Sequence, residues 1–95
     1  MNLDQLRSRR AEILTLAEQH GAHNVRVFGS VVRGESGSES DIDLLIDMDE
    51  QRSLLDLVAL WQDLQDMLGR RVDVVTERSL HWYIRDRVLR EARPL

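Results

Sequence analysis

Val27-Phe-Gly-Ser-Val-Val-Arg-Gly-Glu-Ser-Gly-Ser-Glu-Ser-Asp-Ile-Asp-Leu-Leu-Ile-Asp47 governs the reading of the whole chain. Its first part nearly spells a phosphate-binding P-loop, with Gly29, four residues, then Gly34, Glu35 and Ser36. A P-loop needs Lys where this chain has Glu35, because the ammonium reaches the β- and γ-phosphates. A long helix should also follow directly, and a polar loop follows instead. The second part opens like a calcium loop, with Asp41-x-Asp43. That loop requires Gly at its sixth position and an irregular backbone. The sixth residue here is Ile46, inside an alternating pattern, so this reading fails as well.

The alternation sets the local structure. Ile42, Leu44, Ile46 and Met48 share one face of a strand over Asp41–Met48, with Asp41, Asp43, Leu45 and Asp47 on the other. Upstream, Val25–Phe28 is β-branched and aromatic and reads as a strand. Gly29–Gly34 reads as a tight turn with one helical turn, and residues 35–40 as a loop. Further out, residues 3–20 carry helical spacing through Leu3, Leu6, Ile13, Leu14 and Ala17, with Asn2 as cap and Gly21 as stop. Residues 53–68 repeat that spacing through Leu54, Leu57, Val58, Trp61, Leu64 and Leu68, bounded by Ser53 and Gly69. Val72–Thr76 is a third strand, and a last helix over about 79–92 packs Leu80, Ile84 and Val88 before Pro94. This order predicts an α/β (α+β) chain: a small three-stranded sheet with helices on one face and Asp41, Asp43 and Asp73 on the other.

On that face the opening stretch reads as one site. Gly29 ends a strand and lets backbone approach a ligand closely. Ser30 offers a hydroxyl and an N–H at the start of a helical turn, where anions are favoured. Asp41 and Asp43 stand two apart on a strand, so their carboxylates point the same way, roughly 6–7 Å apart at their bases. That separation suits two Mg²⁺ ions about 3.5–4 Å apart. Asp73 would complete a carboxylate trio, which repels itself unless divalent cations reverse the penalty.

Composition narrows the alternatives. Ninety-five residues make one domain, 1–95, with a modest core. The net charge is −4, from 13 Arg and 17 acidic residues, and there is no Lys. No direct nucleic-acid binding is expected without a clustered basic surface. Disulfides and thiolate metal sites are excluded by the absence of Cys. No apolar run approaches the ~18 residues of a membrane helix, so a cytoplasmic location is expected. His20, His23 and His81 lack metal-ligand spacing and read as structural or surface residues.

Gly29-Ser30, ten residues, then Asp41-Ile42-Asp43 resembles the signature of the polymerase-beta-like nucleotidyltransferase superfamily. Phe28-Gly29-Ser30, Arg33-Gly34 and Ser40-Asp41-Ile42-Asp43-Leu44 are similar to its minimal members, the MNT proteins, commonly antitoxin partners of HEPN toxins. The resemblance spans nearly the whole chain. It implies a small mixed sheet of the nucleotidyltransferase fold, and AMP transfer from ATP to a tyrosine of a HEPN toxin, with release of pyrophosphate. It assigns the triphosphate of the nucleoside triphosphate to Gly29 and Ser30, and Mg²⁺ to Asp41, Asp43 and Asp73. Asp73 would also help activate the attacking hydroxyl. Arg33 either steadies a phosphate or pairs with Glu35 or Asp41. Ser40 reads as a turn residue, and Arg70 and Arg71 as solvated charges. Larger relatives add a domain that grips the acceptor; with none expected here, a partner protein would present the hydroxyl. His81-Trp82-Tyr83 is the candidate contact patch, although Trp82 and Tyr83 would serve equally as core. Two other readings remain open: neutralisation by binding alone, and transfer to a small-molecule acceptor.

Overall fold

The computed structural model describes residues 1–35 and 41–95. Ser40 and the rest of the serine-rich stretch beyond Glu35, expected to be a loop, lie outside them. Strand β2 (Ile42–Met48) is central and joins two opposite pairings. It runs antiparallel to β1 (Ala22–Phe28) and parallel to β3 (Val72–Thr76). The sheet is therefore mixed, as expected, but among the described residues it has four strands in the order β3-β2-β1-β4. The extra strand, β4 (Arg93–Pro94), pairs antiparallel with β1 at Arg26–Pro94 and Val27–Arg93. Sequence reasoning takes Pro94 only as a helix stop. Proline donates no hydrogen bond, yet it is tolerated on an edge strand, which is where the chain end lies.

The even-numbered residues of β2 explain the core. Ile42, Leu44 and Ile46 are buried with Val25, Val27 and Val72 against Leu6, Ile13, Ala17, Leu60, Leu64 and Leu68. Those last six come from α1 (Leu3–Ser8), α2 (Arg10–Gln19) and α4 (Leu54–Leu68). Full burial of a Leu or Ile contributes about 1.5–3 kcal/mol, so this one face supplies most of the driving force. The caps read from sequence are present: Asn2 accepts from the Gln5 N–H, and Ser53 forms a reciprocal capping box with Asp56. Gly69 closes α4 in the left-handed conformation that glycine accepts without strain.

Three expectations about the helices need correction. The helix predicted over 3–20 breaks at Arg9, whose guanidinium reaches across to the Met67 carbonyl at 3.0 Å. A cation at the end of α4 is favourable both as a hydrogen-bond donor and toward the helix dipole. The last helix, α5, is shorter, Trp82–Glu91, and follows a 3₁₀ turn at Glu77–Ser79. Of its three predicted core residues only Val88 is buried; Leu80 precedes the helix and Ile84 is exposed. On α4, Leu54 is exposed, and Trp61 is only partly covered, with its indole N–H donated to the Val72 carbonyl. Among the described residues no helix is long and apolar enough to cross a membrane.

Candidate active site

The site is built where β1 ends. Gly29 follows Phe28 with φ 77° and ψ −150°, a backbone region that side chains effectively forbid. A Cβ there would also collide with Oδ2 of Asp43 on the neighbouring strand. Two independent reasons therefore require glycine: the turn itself and the close approach of a carboxylate. The chain then winds into α3 (Ser30–Arg33), ended by Gly34 in the left-handed conformation. Within this turn the Gly29 carbonyl accepts from Val32 and Arg33, and the Ser30 carbonyl accepts from Glu35. Ser30 is thus held at the first helical position, half-buried, one residue from the Asp43 contact.

The carboxylates arrive on two adjacent parallel strands. Asp43 is in register with Asp73, so their Cα atoms are about one strand spacing apart, ~4.8 Å. Asp43 is half-buried and Asp73 exposed. Burial raises the Asp43 carboxyl from 3.8 to about 6, with smaller contributions from the charges of Asp73 and Asp41, while Arg33 draws it back. Among the described residues no basic side chain forms an ion pair with Asp43 or Asp73. Asp41 lies just before β2, and its carboxylate leans toward Arg71 at 3.6 Å. Arg71, expected to be a solvated charge, therefore has a partner.

The three acids thus share an electrostatic environment but do not converge. Among the described residues no three acidic or His side chains close around a single point. The donor set nevertheless fits a hard divalent cation, since carboxylate oxygens are the ligands such ions take. The cost of ionising Asp43 beside two other acids is also what a bound cation would remove.

Arg33 does not pair with Asp41. Its guanidinium is held by Glu35 at 3.1 Å and by Glu91 of α5 at 2.6 Å, and these contacts raise its pKa further above the ordinary value. The second Glu91 oxygen accepts from the Gly29 N–H at 3.2 Å. Glu91 was missed in the sequence, where it stood only as the end of an amphipathic helix, 62 residues from Gly29.

The sequence profile of the nucleotidyltransferase domain family matches residues 10–95. The chain belongs to the nucleotidyltransferase family. This nucleotidyltransferase is 46% identical over 76 residues to the protein adenylyltransferase MntA of Thermococcus cleftensis, covering 80% of its own length and 77% of that protein. It superposes on a solved "putative minimal nucleotidyltransferase" with a TM-score of 0.87 and 53% identity, over 100% of its length and 97% of that chain. A toxin–antitoxin structure with AMP-PNP shares the fold at a TM-score of 0.75 and 23% identity, over 88% of this chain and 69% of that one. The chain is thus an enzyme of the nucleotidyltransferase family, similar to a protein adenylyltransferase.

The remaining polar pairs of the nucleotidyltransferase lie away from the turn. Asp47, placed by alternation on the same face as Asp43, is tied to Asn24 at 2.9 Å and to Arg26 at 3.0 Å. Arg26 also reaches Glu77 at 3.2 Å, so it bridges β2 and the 3₁₀ turn. Leu45, on that same face, is fully buried, flanked in register by Arg26 and Val75. His20 pairs with Asp63 at 2.8 Å and His23 with Asp49 at 3.1 Å. Trp82 and Tyr83 are 78% and 77% exposed, which removes the core alternative for both. Their rings meet edge to face at 5.9 Å, and His81 stacks on Trp82 at 5.6 Å.

Proposed function

We propose that the chain, acting as a single domain over residues 1–95, transfers AMP from ATP to a tyrosine of a HEPN-type toxin and releases pyrophosphate. The observation that carries this reading is the contact between the Gly29 turn and Asp43, with Asp73 alongside. That closeness supports a reading in which the turn would receive an anion and the neighbouring acids would hold cations. Ser30 and the backbone amides of the α3 turn would receive the triphosphate, with Arg33 as a further phosphate contact. Asp41, Asp43 and Asp73 would hold Mg²⁺. When bound, two such ions supply positive charge at the attacking and leaving oxygens of an in-line displacement at phosphorus. Asp73, exposed and open to an incoming acceptor, would also assist loss of the tyrosine proton as the O–P bond forms and the bond to pyrophosphate breaks.

A protein acceptor is supported by the exposed cluster His81-Trp82-Tyr83, since Trp and Tyr are enriched where binding energy concentrates. The toxin–antitoxin neighbour with AMP-PNP supports the same nucleotide and partner class. ATP and such a partner would meet the enzyme in the cytoplasm. Incubation with labelled ATP, Mg²⁺ and the protein encoded beside it should place label on a partner tyrosine. An unlabelled partner, with nucleotide bound but unused, would refute the proposal. The same exposed patch also supports neutralisation by binding alone. If Asp43→Asn still neutralises the toxin in cells at matched expression, binding suffices.

A further inference from the structure

We infer that Glu91 is a positioning residue for the nucleotide-binding turn: one carboxylate fixes both the Gly29 amide and the Arg33 guanidinium. The inference rests on the reading of that turn as the triphosphate anchor, and it names what holds the anchor in shape. Glu91 is not free to wander. The antiparallel register of β4 on β1 pairs Val27 with Arg93 and Arg26 with Pro94. Extending it by two residues brings Glu91 opposite Gly29. The backbone end of this tail is fixed as well, because Leu95 is buried and its N–H donates to the Val25 carbonyl at 3.1 Å. The side chain, only 16% exposed, then spans to both targets: 3.2 Å to the Gly29 nitrogen and 2.6 Å to Arg33 Nη1.

The physical need is clear from the turn. Gly29 occupies a backbone conformation open to glycine, but glycine populates many others as readily, so its partners decide how firmly the turn is held there. A charge-assisted hydrogen bond from Gly29 to a carboxylate is a strong determinant, and the same carboxylate gives Arg33 a fixed direction. Arg33 sits three residues beyond Ser30, so its orientation sets where positive charge stands relative to the turn. On this geometry Glu91 acts on the turn through Arg33 and Gly29.

The test compares Glu91→Ala, Glu91→Gln, Arg33→Ala and the Glu91→Ala/Arg33→Ala double variant of the whole chain. Two measurements are needed: hydrogen exchange at the Gly29 amide, and calorimetric binding of Mg²⁺–ATP. Glu91→Ala should speed Gly29 exchange and weaken ATP binding, each by about 10-fold or more, and Arg33→Ala should weaken ATP binding similarly. The double variant should bind little worse than either single one, because the two residues act as a unit. Glu91→Gln keeps one acceptor for the amide and should fall between wild type and Glu91→Ala.

Unchanged or tighter ATP binding in Glu91→Ala, with faster Gly29 exchange, would overturn the inference; the carboxylate would then staple the tail or compete with phosphate. Should Glu91→Ala fail to fold, wild-type affinity and exchange in Glu91→Gln would overturn it equally. If the wild-type chain does not bind Mg²⁺–ATP at all, the anchor reading falls too, and the Gly29 exchange data show whether the strut itself exists.

Discussion

Replacing Asp43 by Asn should make the metal-free protein more stable, and the size of the gain follows from its surroundings. The Asp43 carboxyl is raised from 3.8 to about 6 by burial, then by Asp73 and Asp41. An acid that holds its proton more tightly in the fold than in the unfolded chain loses native stability as pH rises between those two values, and the loss persists above them. A rise of that size would cost the ionised fold about 3 kcal/mol if none of it were screened. Because the carboxylate is only half-buried, solvent screening reduces this, and about 1–1.5 kcal/mol is the expected penalty near neutral pH. Asn keeps the shape of the side chain and removes the charge. A domain of this size gains about 4–8 °C in Tm per kcal/mol, so Asp43→Asn should melt about 5–10 °C higher in EDTA at about pH 7.5. At about pH 4, where the wild-type carboxyl is protonated, the two melting temperatures should converge. Added Mg²⁺ should raise the wild-type Tm and leave the variant unmoved, since only binding to the native state stabilises it. Calorimetric melts at the two pH values, with and without Mg²⁺, make the comparison. A variant that melts below wild type in EDTA near neutrality would refute the reasoning, as would a gap that does not depend on pH.

Other perturbations have equally specific outcomes. Gly29→Ala meets both a φ of 77° and the Asp43 carboxylate, so denaturant melts should show a loss of about 2 kcal/mol or more, with Mg²⁺–ATP binding lost as well. Trp82→Ala and Tyr83→Ala remove largely exposed rings and should shift stability by no more than about 0.5 kcal/mol, while weakening partner capture measured by calorimetry or co-elution. Arg26→Ala leaves Asp47 and Glu77 without their shared cation, and urea melts should report a loss of about 1–2 kcal/mol.

Much of the architecture was legible because it rests on local rules. Alternation over 42–48 fixed which face of β2 carries Ile42, Leu44 and Ile46, since side chains on a strand have a period of two. Ser53 and Gly69 marked the ends of α4 through capping chemistry that depends only on neighbouring residues. The Gly-Ser and Asp-x-Asp pairs were legible as a candidate site for the same reason: each is a short segment with its own geometry. The failures came where long-range contacts outweighed local preference. Arg9 broke a continuous helical pattern to reach Met67, and Pro94 joined a sheet edge that no local signal announces.

The sequence alone placed β1, β2 and β3 and named the residues of the turn and the acids proposed to serve it. Only the tertiary structure decided how they meet. Gly29 had to be glycine because Asp43, fourteen positions later, fills the space of its missing side chain. Arg33, ambiguous in the sequence, was assigned to Glu35 and Glu91 and away from Asp41. Glu91 entered the site because β4 pairs with β1, and a residue 62 positions away has no periodicity or spacing through which to declare that it will stand beside Gly29.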